Sequence, residues 1–313
     1  MSLSPYEEEA KNLHKTLFEE ENSSLKEKTI IDIIKKHNLK ERLLLRIYYN
    51  KIFQDNNLIT DFNSKLSGHF ANLVINLFMS PIDIECIEFK KIFDDDTNIK
   101  KNILLESLSL NPFWFNQKVS RRFYELYKKD LKTEIINKFN DFTRDVLITC
   151  LNTKRNENDK IINNDEINEK VKLMINTKPE DILKNNEIFV NLFGIPSGKE
   201  IILMSRKFKE IKGEHFLVFF ENKLKDEEIN VFKEIIYNVC RPSENFAIKL
   251  KNSIKGVEVN FDIINRILVN RNEIDIKEIK KFYNKLNEVD FSDDISNIFT
   301  GAYKELILYL YNK

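Results

Sequence analysis

The chain has 313 residues with only 6 glycines and 6 prolines, and 32% of its residues are charged. So few glycines and prolines leave little room for the turns of a β-sandwich, a barrel or a Rossmann-type sheet, and the composition favours an all-helical fold. Lys plus Arg equals Asp plus Glu at 50 each. Because no net charge draws the whole chain to polyanions, we expect no nucleic-acid partner.

The sequence also indicates where in the cell the protein is expected. Its three cysteines have no metal-binding spacing, and the first residues lack the basic and apolar regions of a signal peptide. No uninterrupted apolar stretch reaches the roughly 18 residues of a membrane-spanning helix. We therefore expect a cytoplasmic protein that can lie on a membrane surface.

In chain order, the first 80 residues predict five short helices and a break before the last of them. The helices are marked by Leu13 and Leu17, by Ile30 to Ile34, by Leu43 to Tyr48, by residues 58–65 and by residues 67–78. Ser67 is the predicted N-cap of the fifth helix.

An apolar pattern with steps of three and four residues then recurs along the chain. Its first copy comprises Leu58, Phe62, Leu66, Phe70, Leu73, Val74 and Leu77. Further copies begin at Leu131, Phe220 and Phe291. In these copies every position of the pattern is apolar except Thr143 and Glu228. Such steps place side chains on one helical face, and the recurrence predicts repeated helical units that bury one another's faces.

The predicted divisions are a short N-terminal tail at 1–8 and four repeats at 9–80, 81–154, 155–241 and 242–313, of which the third is the most divergent. The linker at 152–164 is the longest and most polar. We therefore expect the array to divide into two halves at this linker.

Several segments carry a family resemblance. The first unit contains Thr29-Ile30-Ile31-Asp32-Ile33-Ile34 and Asp61-Phe62-Asn63-Ser64-Lys65-Leu66-Ser67-Gly68-His69-Phe70. The fourth contains Ile254-Lys255-Gly256, the run from Arg266 to Asp275, and Thr300-Gly301-Ala302-Tyr303-Lys304. The second is recognisable from Phe89 to Leu151 and the third mainly from Phe189 to Gly194. In this order they resemble annexin repeats over roughly residues 9 to 313, in a divergent form similar to the alpha-giardins.

The resemblance implies an all-α fold of four annexin-type repeats, each of about five short helices, forming a curved disc. In annexins the convex face meets acidic phospholipid through calcium. The ion is held by carbonyls of a Gly-x-Gly-Thr loop and by a carboxylate just before a later Ser/Thr-Gly step. Glycine lets the carbonyls converge on a cation that prefers hard oxygen ligands.

This sequence departs from that pattern in every unit. The degenerate loop residues are Glu19, Glu20 and Glu21 in the first unit, Asp94, Asp95 and Asp96 in the second, and Gly256 and Glu258 in the fourth. The third loop, near 176–181, is expanded and lacks glycine. The residues matched to the family carboxylate are Lys65, Lys138, Glu227 and Ile298. We therefore expect the ordinary high-affinity calcium sites to be absent, and any remaining calcium binding to be weak.

Each candidate also has a structural interpretation. Acidic residues before a helix stabilise its N-terminus whether or not they bind calcium. Lys65 and Lys138 are candidates for direct contact with membrane phosphate, but ordinary surface lysines would occupy the same positions.

The leading hypothesis is a non-enzymatic, annexin-like scaffold that binds acidic phospholipid at the membrane periphery, with little or no calcium and no required cofactor. One alternative is a cytoskeletal or self-assembly module that no longer binds lipid. Another is residual calcium-dependent binding through the non-standard loops. Because no nucleophile elbow, phosphate-binding glycine loop or zinc motif is visible, we expect no catalysis and no small-molecule substrate.

Overall fold

The structure is a computed structural model that describes residues 4–54, 56–95, 101–156, 162–256, 258–287 and 289–313. Every regular element within these ranges is a helix, which confirms the all-α fold class.

The helices follow the repeats in order. The first repeat contains α1 (Pro5–Phe18), α2 (Ser23–Lys36), α3 (Leu39–Ile52), α4 (Leu58–Lys65) and α5 (Gly68–Leu77). The second contains α6 (Pro81–Asp94), α7 (Lys101–Leu110), α8 (Phe113–Tyr127), α9 (Leu131–Lys138) and α10 (Asp141–Asn152). The third contains α11 (Asn164–Asn176), α12 (Pro179–Lys184), α13 (Asn186–Phe189), α14 (Gly198–Lys212), α15 (Phe216–Glu221) and α16 (Asp226–Cys240). The fourth contains α17 (Pro242–Lys255), α18 (Phe261–Arg271), α19 (Ile276–Leu286), α20 (Phe291–Ile298) and α21 (Gly301–Tyr311).

Local sequence sets several helix starts. A capping box opens α3, where Asn38 and Glu41 exchange side-chain and backbone hydrogen bonds, and Ser197 with Glu200 does the same for α14. Ser67 lies at the predicted N-cap position of α5, but its hydroxyl makes no capping hydrogen bond. The start of α5 therefore depends on its backbone conformation more than on the serine side chain.

The recurring apolar pattern forms the core. In the fourth repeat every residue of the pattern is buried: Phe291, Ile295, Phe299, Tyr303, Leu306, Ile307 and Leu310. In the first repeat all are buried except Leu66, which is half-buried. The helical periodicity thus identified the buried faces of the last two helices in these repeats.

The third repeat differs in register from the sequence prediction. Its fourth helix begins at Phe216, four residues before Phe220, where the pattern was placed. Because one helical turn is 3.6 residues, a slip of four residues leaves the apolar stripe on almost the same face. Phe216 and Phe220 are both buried, so the pattern fits both registers.

The second helix of the third repeat is also interrupted. A short α13 runs into a π-helical segment at Val190–Gly194, and α12 lies in the preceding loop. This insertion agrees with the expanded third loop expected from the sequence.

The chain forms two compact units that do not follow the middle linker. Unit 1 comprises Met1–Pro81 with Ser243–Lys313, and unit 2 comprises Ile82–Pro242. Repeat one therefore pairs with repeat four, and repeat two pairs with repeat three. The expected division at 152–164 is wrong because this linker is tied to the third repeat: Arg155 Nη1 donates to Phe193 O at 2.8 Å, and Asn156 N donates to Ile195 O at 2.7 Å.

Among the described residues, no single helix has the length and apolar character to cross a membrane. One pair, Asn186–Gly194 and Gly198–Lys212, reaches that length and composition jointly, with a bend of 102° between its members.

Candidate functional site

The candidate site recurs where the loop after the first helix of a repeat meets the end of the fourth helix. In the first repeat the two parts come together through Lys65 and Phe18. The Lys65 ammonium lies 4.6 Å from the centroid of the Phe18 ring, which is 42% exposed at the end of α1. Lys65 itself is exposed, and within the described ranges no carboxylate pairs with it. A cation thus stands beside the first loop without a neutralising partner.

The acidic residues of that first loop serve the local backbone. Glu20 Oε1 accepts a hydrogen bond from the amide of Asn22 at 2.8 Å, and the Asn22 side chain caps α2 by accepting from Leu25 N. Glu19 and Glu21 are exposed. In the structure Asn22 caps α2, and Glu20 is hydrogen-bonded to the backbone of this capping residue.

The second repeat brings its lysine into direct contact with the loop. Lys138, at the end of α9, donates from its ammonium group to the backbone carbonyl oxygen of Asp95. The neighbouring Asp94 pairs with Lys90 one helical turn earlier. Asp96 lies outside the described residues. A lysine ammonium therefore lies directly against a backbone carbonyl of the second loop.

The third repeat places a different residue at this position than the sequence indicated. Glu227 lies in the first turn of α16, where Lys101 forms an ion pair with it at 2.9 Å. The hydrogen bond and the charge of Lys101 hold the pKa of Glu227 below its ordinary value. Lys65 and Lys138 each precede the first residue of the final helix by three positions, and in the third repeat this position is Lys223.

Lys223 repeats the arrangement of the first unit. Its ammonium lies 4.8 Å from the centroid of the Phe219 ring, and its side chain is exposed. Three of the four matching positions are thus lysines. Sequence reasoning missed Lys223 because of the four-residue slip; the repeated interval between an apolar helix start and the lysine, as in Leu58 and Lys65, was the signal that could have found it.

The fourth repeat has neither a lysine nor a carboxylate at this position. Ile298 is 42% exposed at the end of α20. Gly256 directly follows α17, and a Cβ atom there would lie 3.0 Å from Asn252 O and 3.3 Å from Glu258 O. A side chain at this position would therefore require the neighbouring backbone oxygens to move by a few tenths of an ångström, while Glu258 is exposed.

The donor sets do not fit a calcium site of the family type. Three positions that would supply a carboxylate supply an ammonium group, and the fourth supplies an alkyl side chain. Calcium requires about six to eight oxygen ligands, and a neighbouring ammonium repels the ion. Among the residues that the structure describes, no group of three His, Cys, Asp or Glu side chains is arranged to hold a metal ion.

Comparison with known proteins finds relatives and solved structures that are similar to this chain. A family model described as Annexin matches residues 245–310. The chain is 23% identical over 291 residues to "Annexin-like protein RJ4" of Fragaria ananassa, covering 92% of this chain and 90% of the relative. It is 24% identical over 287 residues to "Annexin A3" of Bos taurus, covering 90% of this chain and 86% of the relative. The solved structure of "ANNEXIN III" superposes with a TM-score of 0.90 at 19% identity, covering 100% of this chain and 95% of that one. Sequence motifs, helical repeats and fold agree: the last repeat matches the annexin family model, and the chain has the fold of the solved annexins and is similar to them over nearly its whole length.

Proposed function

We propose that this annexin-like protein binds acidic phospholipid at the membrane surface through the ammonium groups of Lys65, Lys138 and Lys223, with little or no dependence on calcium. Annexins are generally calcium-dependent phospholipid-binding proteins. The observation that carries the proposal is the contact of the Lys138 ammonium with the Asp95 carbonyl. In this arrangement the protein supplies its own cation at the loop.

The surroundings of these lysines leave their charge available. No carboxylate within the described ranges pairs with any of the three. Phe18 and Phe219 lie beneath two of the ammonium groups. A cation–π contact holds an ammonium group in place while its remaining N–H donors stay free for a phosphate oxygen.

The expected affinity is low. One well-placed lysine contributes about 1 kcal/mol near an anionic membrane, so three contribute about 3 kcal/mol. A millimolar dissociation constant corresponds to about 4 kcal/mol, so a single molecule would dock weakly. Because exposed charges are screened within about 10 Å at 0.1 M salt, the binding should fall steeply as salt rises.

The test replaces the three lysines and compares a charge-matched control. The variant K65E/K138E/K223E should sediment far less with phosphatidylserine vesicles than the parent, at low salt and with chelator present. The control K51E/K132E/K212E carries the same charge change on three exposed lysines, in the last turns of α3 and α14 and in the first turn of α9. Its bound fraction should exceed that of the site variant several-fold, and circular dichroism should show that both variants are folded at the temperature of the assay.

Two outcomes would count against the proposal. If the site variant binds as tightly as the parent, the three lysines are ordinary surface residues. If the control loses as much binding as the site variant, only total charge matters.

A second candidate function rests on an exposed aromatic side chain. Trp114, in the first turn of α8, is 54% exposed, with the Lys118 ammonium 4.9 Å from its ring centroid. Such a residue suits a contact with another protein or with a second copy of the chain. Oligomers that depend on protein concentration and disappear in Trp114→Ala, together with no vesicle binding at low salt, would favour this assembly function.

A further inference from the structure

A cavity in unit 2 lies apart from the loops described above. It lies between α14, α15 and α16, is open to solvent on one side and has a volume of about 280 Å³. Its apolar lining consists of Ile201, Ile202, Phe216, Leu217, Val218 and Ile236. The size is close to the lower end of small-molecule sites, which span about 300–1,000 Å³.

Comparison with the first repeat explains why the cavity is there. The capping boxes at Asn38 and Ser197 align α3 with α14, so that Ile201 takes the place of Arg42. In the first repeat the Arg42 guanidinium is buried and donates from Nε to Leu77 O at 2.8 Å. Isoleucine is shorter and cannot reach the equivalent carbonyl.

One helical turn later, a second arginine of the first repeat is replaced by a shorter residue in the third. Arg46 donates from Nη1 to Phe78 O at 3.4 Å in the first repeat, and Ser205 takes its place in the third. The Ser205 hydroxyl lies 3.0 Å from Nδ1 of His215. Two long basic side chains are therefore replaced by an isoleucine and a serine, and the space that they fill elsewhere is left open.

The polar part of the lining is basic. Arg206, Arg241 and His215 line the cavity and are solvent-exposed, and no aspartate or glutamate is among the lining residues. Arg206 forms no ion pair or hydrogen bond with any residue that the structure describes. A guanidinium group with free N–H donors matches a carboxylate or phosphate in two-point hydrogen bonding.

The side of the cavity formed by α16 presents Ile236, which is 4% exposed, and the half-buried Cys240. Burial raises the pKa of the Cys240 thiol to about 12, despite the opposing charges of Arg155 and Arg241. Such a surface favours an alkyl group over a polar one. The site thus combines an apolar interior with an unpaired cation.

We propose that this cavity binds an amphiphilic anion: a medium-length alkyl chain whose carboxylate or phosphate head group pairs with Arg206 while the chain lies against the apolar lining. The proposal does not depend on the phospholipid-binding function, because the cavity shares no residue with Lys65, Lys138 or Lys223.

The test uses soluble ligands and the full chain, without vesicles or calcium. Decanoate and decyl phosphate are titrated separately by isothermal calorimetry. We expect saturable binding at one site, and the tighter of the two ligands identifies the preferred head group. Decanol and acetate should bind at least tenfold more weakly, since one lacks the anion and the other lacks the chain. Decanol binding as tightly as both anions would overturn the proposal.

Variants separate the cavity from non-specific binding. Arg206→Met should weaken binding at least tenfold, and Val218→Trp should fill the mouth and abolish it. Arg121→Met, on an 84% exposed side chain of α8 outside the cavity, is the matched control and should bind as the parent does. Equal affinity of the Arg206 and Arg121 variants, or no saturable binding to the parent, would show that the cavity is not a site for such anions. Arg206 is exposed, so its replacement should leave the unfolding temperature unchanged.

Discussion

At the residue scale, the buried Arg42 and Glu273, whose side chain is 27% exposed, form an ion pair in unit 1. The Arg42 side chain is 2% exposed and donates to the carbonyl oxygens of Leu77 and His37 at 2.8 and 2.7 Å. It also lies 3.3 Å from Glu273, which accepts a further hydrogen bond from Lys313 at 2.9 Å. The network joins α3 of the first repeat to the turn between α18 and α19 of the fourth repeat. It should therefore make unit 1 sensitive to the charge of Glu273.

Replacing Glu273 with glutamine should lower the free energy of unfolding by an amount that depends on pH. Burial disfavours the ionised carboxyl, but hydrogen bonds from Lys313 and the Leu39 amide, with the charge of Arg42, outweigh it and lower the pKa of Glu273. A depressed pKa in the folded state stabilises the fold above the unfolded value of about 4.3 and loses that effect as pH falls through the folded value. The parent should exceed Glu273→Gln in free energy of unfolding by about 1–3 kcal/mol at pH 7.

Urea unfolding at pH 7, 5 and 3.5 checks that the stabilisation by Glu273 decreases as the pH falls. The difference between parent and Glu273→Gln should be largest at pH 7 and smallest at pH 3.5. Glu278→Gln removes an exposed ion pair in the same repeat and should stay within about 0.5 kcal/mol of the parent. A difference that is the same at all three pH values would contradict the role given to Glu273.

At the scale of single elements, two final helices begin at a glycine with a left-handed backbone. Gly68 has a φ of +64° and Gly301 a φ of +67°. A Cβ atom at either position would meet nothing within 4 Å, so any side chain there is opposed by backbone strain alone. The Ser67 hydroxyl, by contrast, makes no capping hydrogen bond.

The pair Gly68→Ala and Ser67→Ala tests which residue sets the start of α5. The glycine substitution should lower the free energy of unfolding by about 1–2 kcal/mol, because a left-handed conformation is costly for alanine. The serine substitution should change it by less than about 0.5 kcal/mol. Urea denaturation of both variants gives the comparison, and a larger loss from Ser67→Ala than from Gly68→Ala would refute this assignment.

The elements also show how far the sequence could predict the structure. Helical class and buried faces followed from apolar spacing, as Phe291 to Leu310 illustrate, because burial of one face is a local property of the chain. The register of the third repeat did not follow, because a four-residue slip between Phe220 and Phe216 preserves that face. The family resemblance placed Lys138 near the second loop, but its direct contact with the Asp95 carbonyl did not follow from the sequence, since it depends on how two distant segments meet in space.

At the scale of the whole molecule, the units join repeats that are not all neighbours in sequence. Unit 2 is one continuous segment, Ile82–Pro242, and its core cluster extends from Cys86 to Ile236. Unit 1 needs both ends of the chain. A segment of this length can bury about two-thirds of the surface that its unfolded chain exposes, which suffices for an independent core.

Fragments of the chain should therefore differ in folding. The fragment 82–242 should be helical by circular dichroism and unfold cooperatively in urea. The fragment 1–154, which follows the repeat order but divides both units, should lack a cooperative transition. If 1–154 folds cooperatively and 82–242 does not, the pairing of repeats two and three is not the stable unit.

Calcium-independent binding to acidic membranes is the central claim, and co-sedimentation with phosphatidylserine vesicles tests it most directly. The parent protein is incubated at low salt with either micromolar calcium or chelator, and each sample is repeated at high salt. Lysines that replace the ion predict equal bound fractions with calcium and with chelator, and loss of binding at high salt in both. Binding that appears only with micromolar calcium would contradict the account.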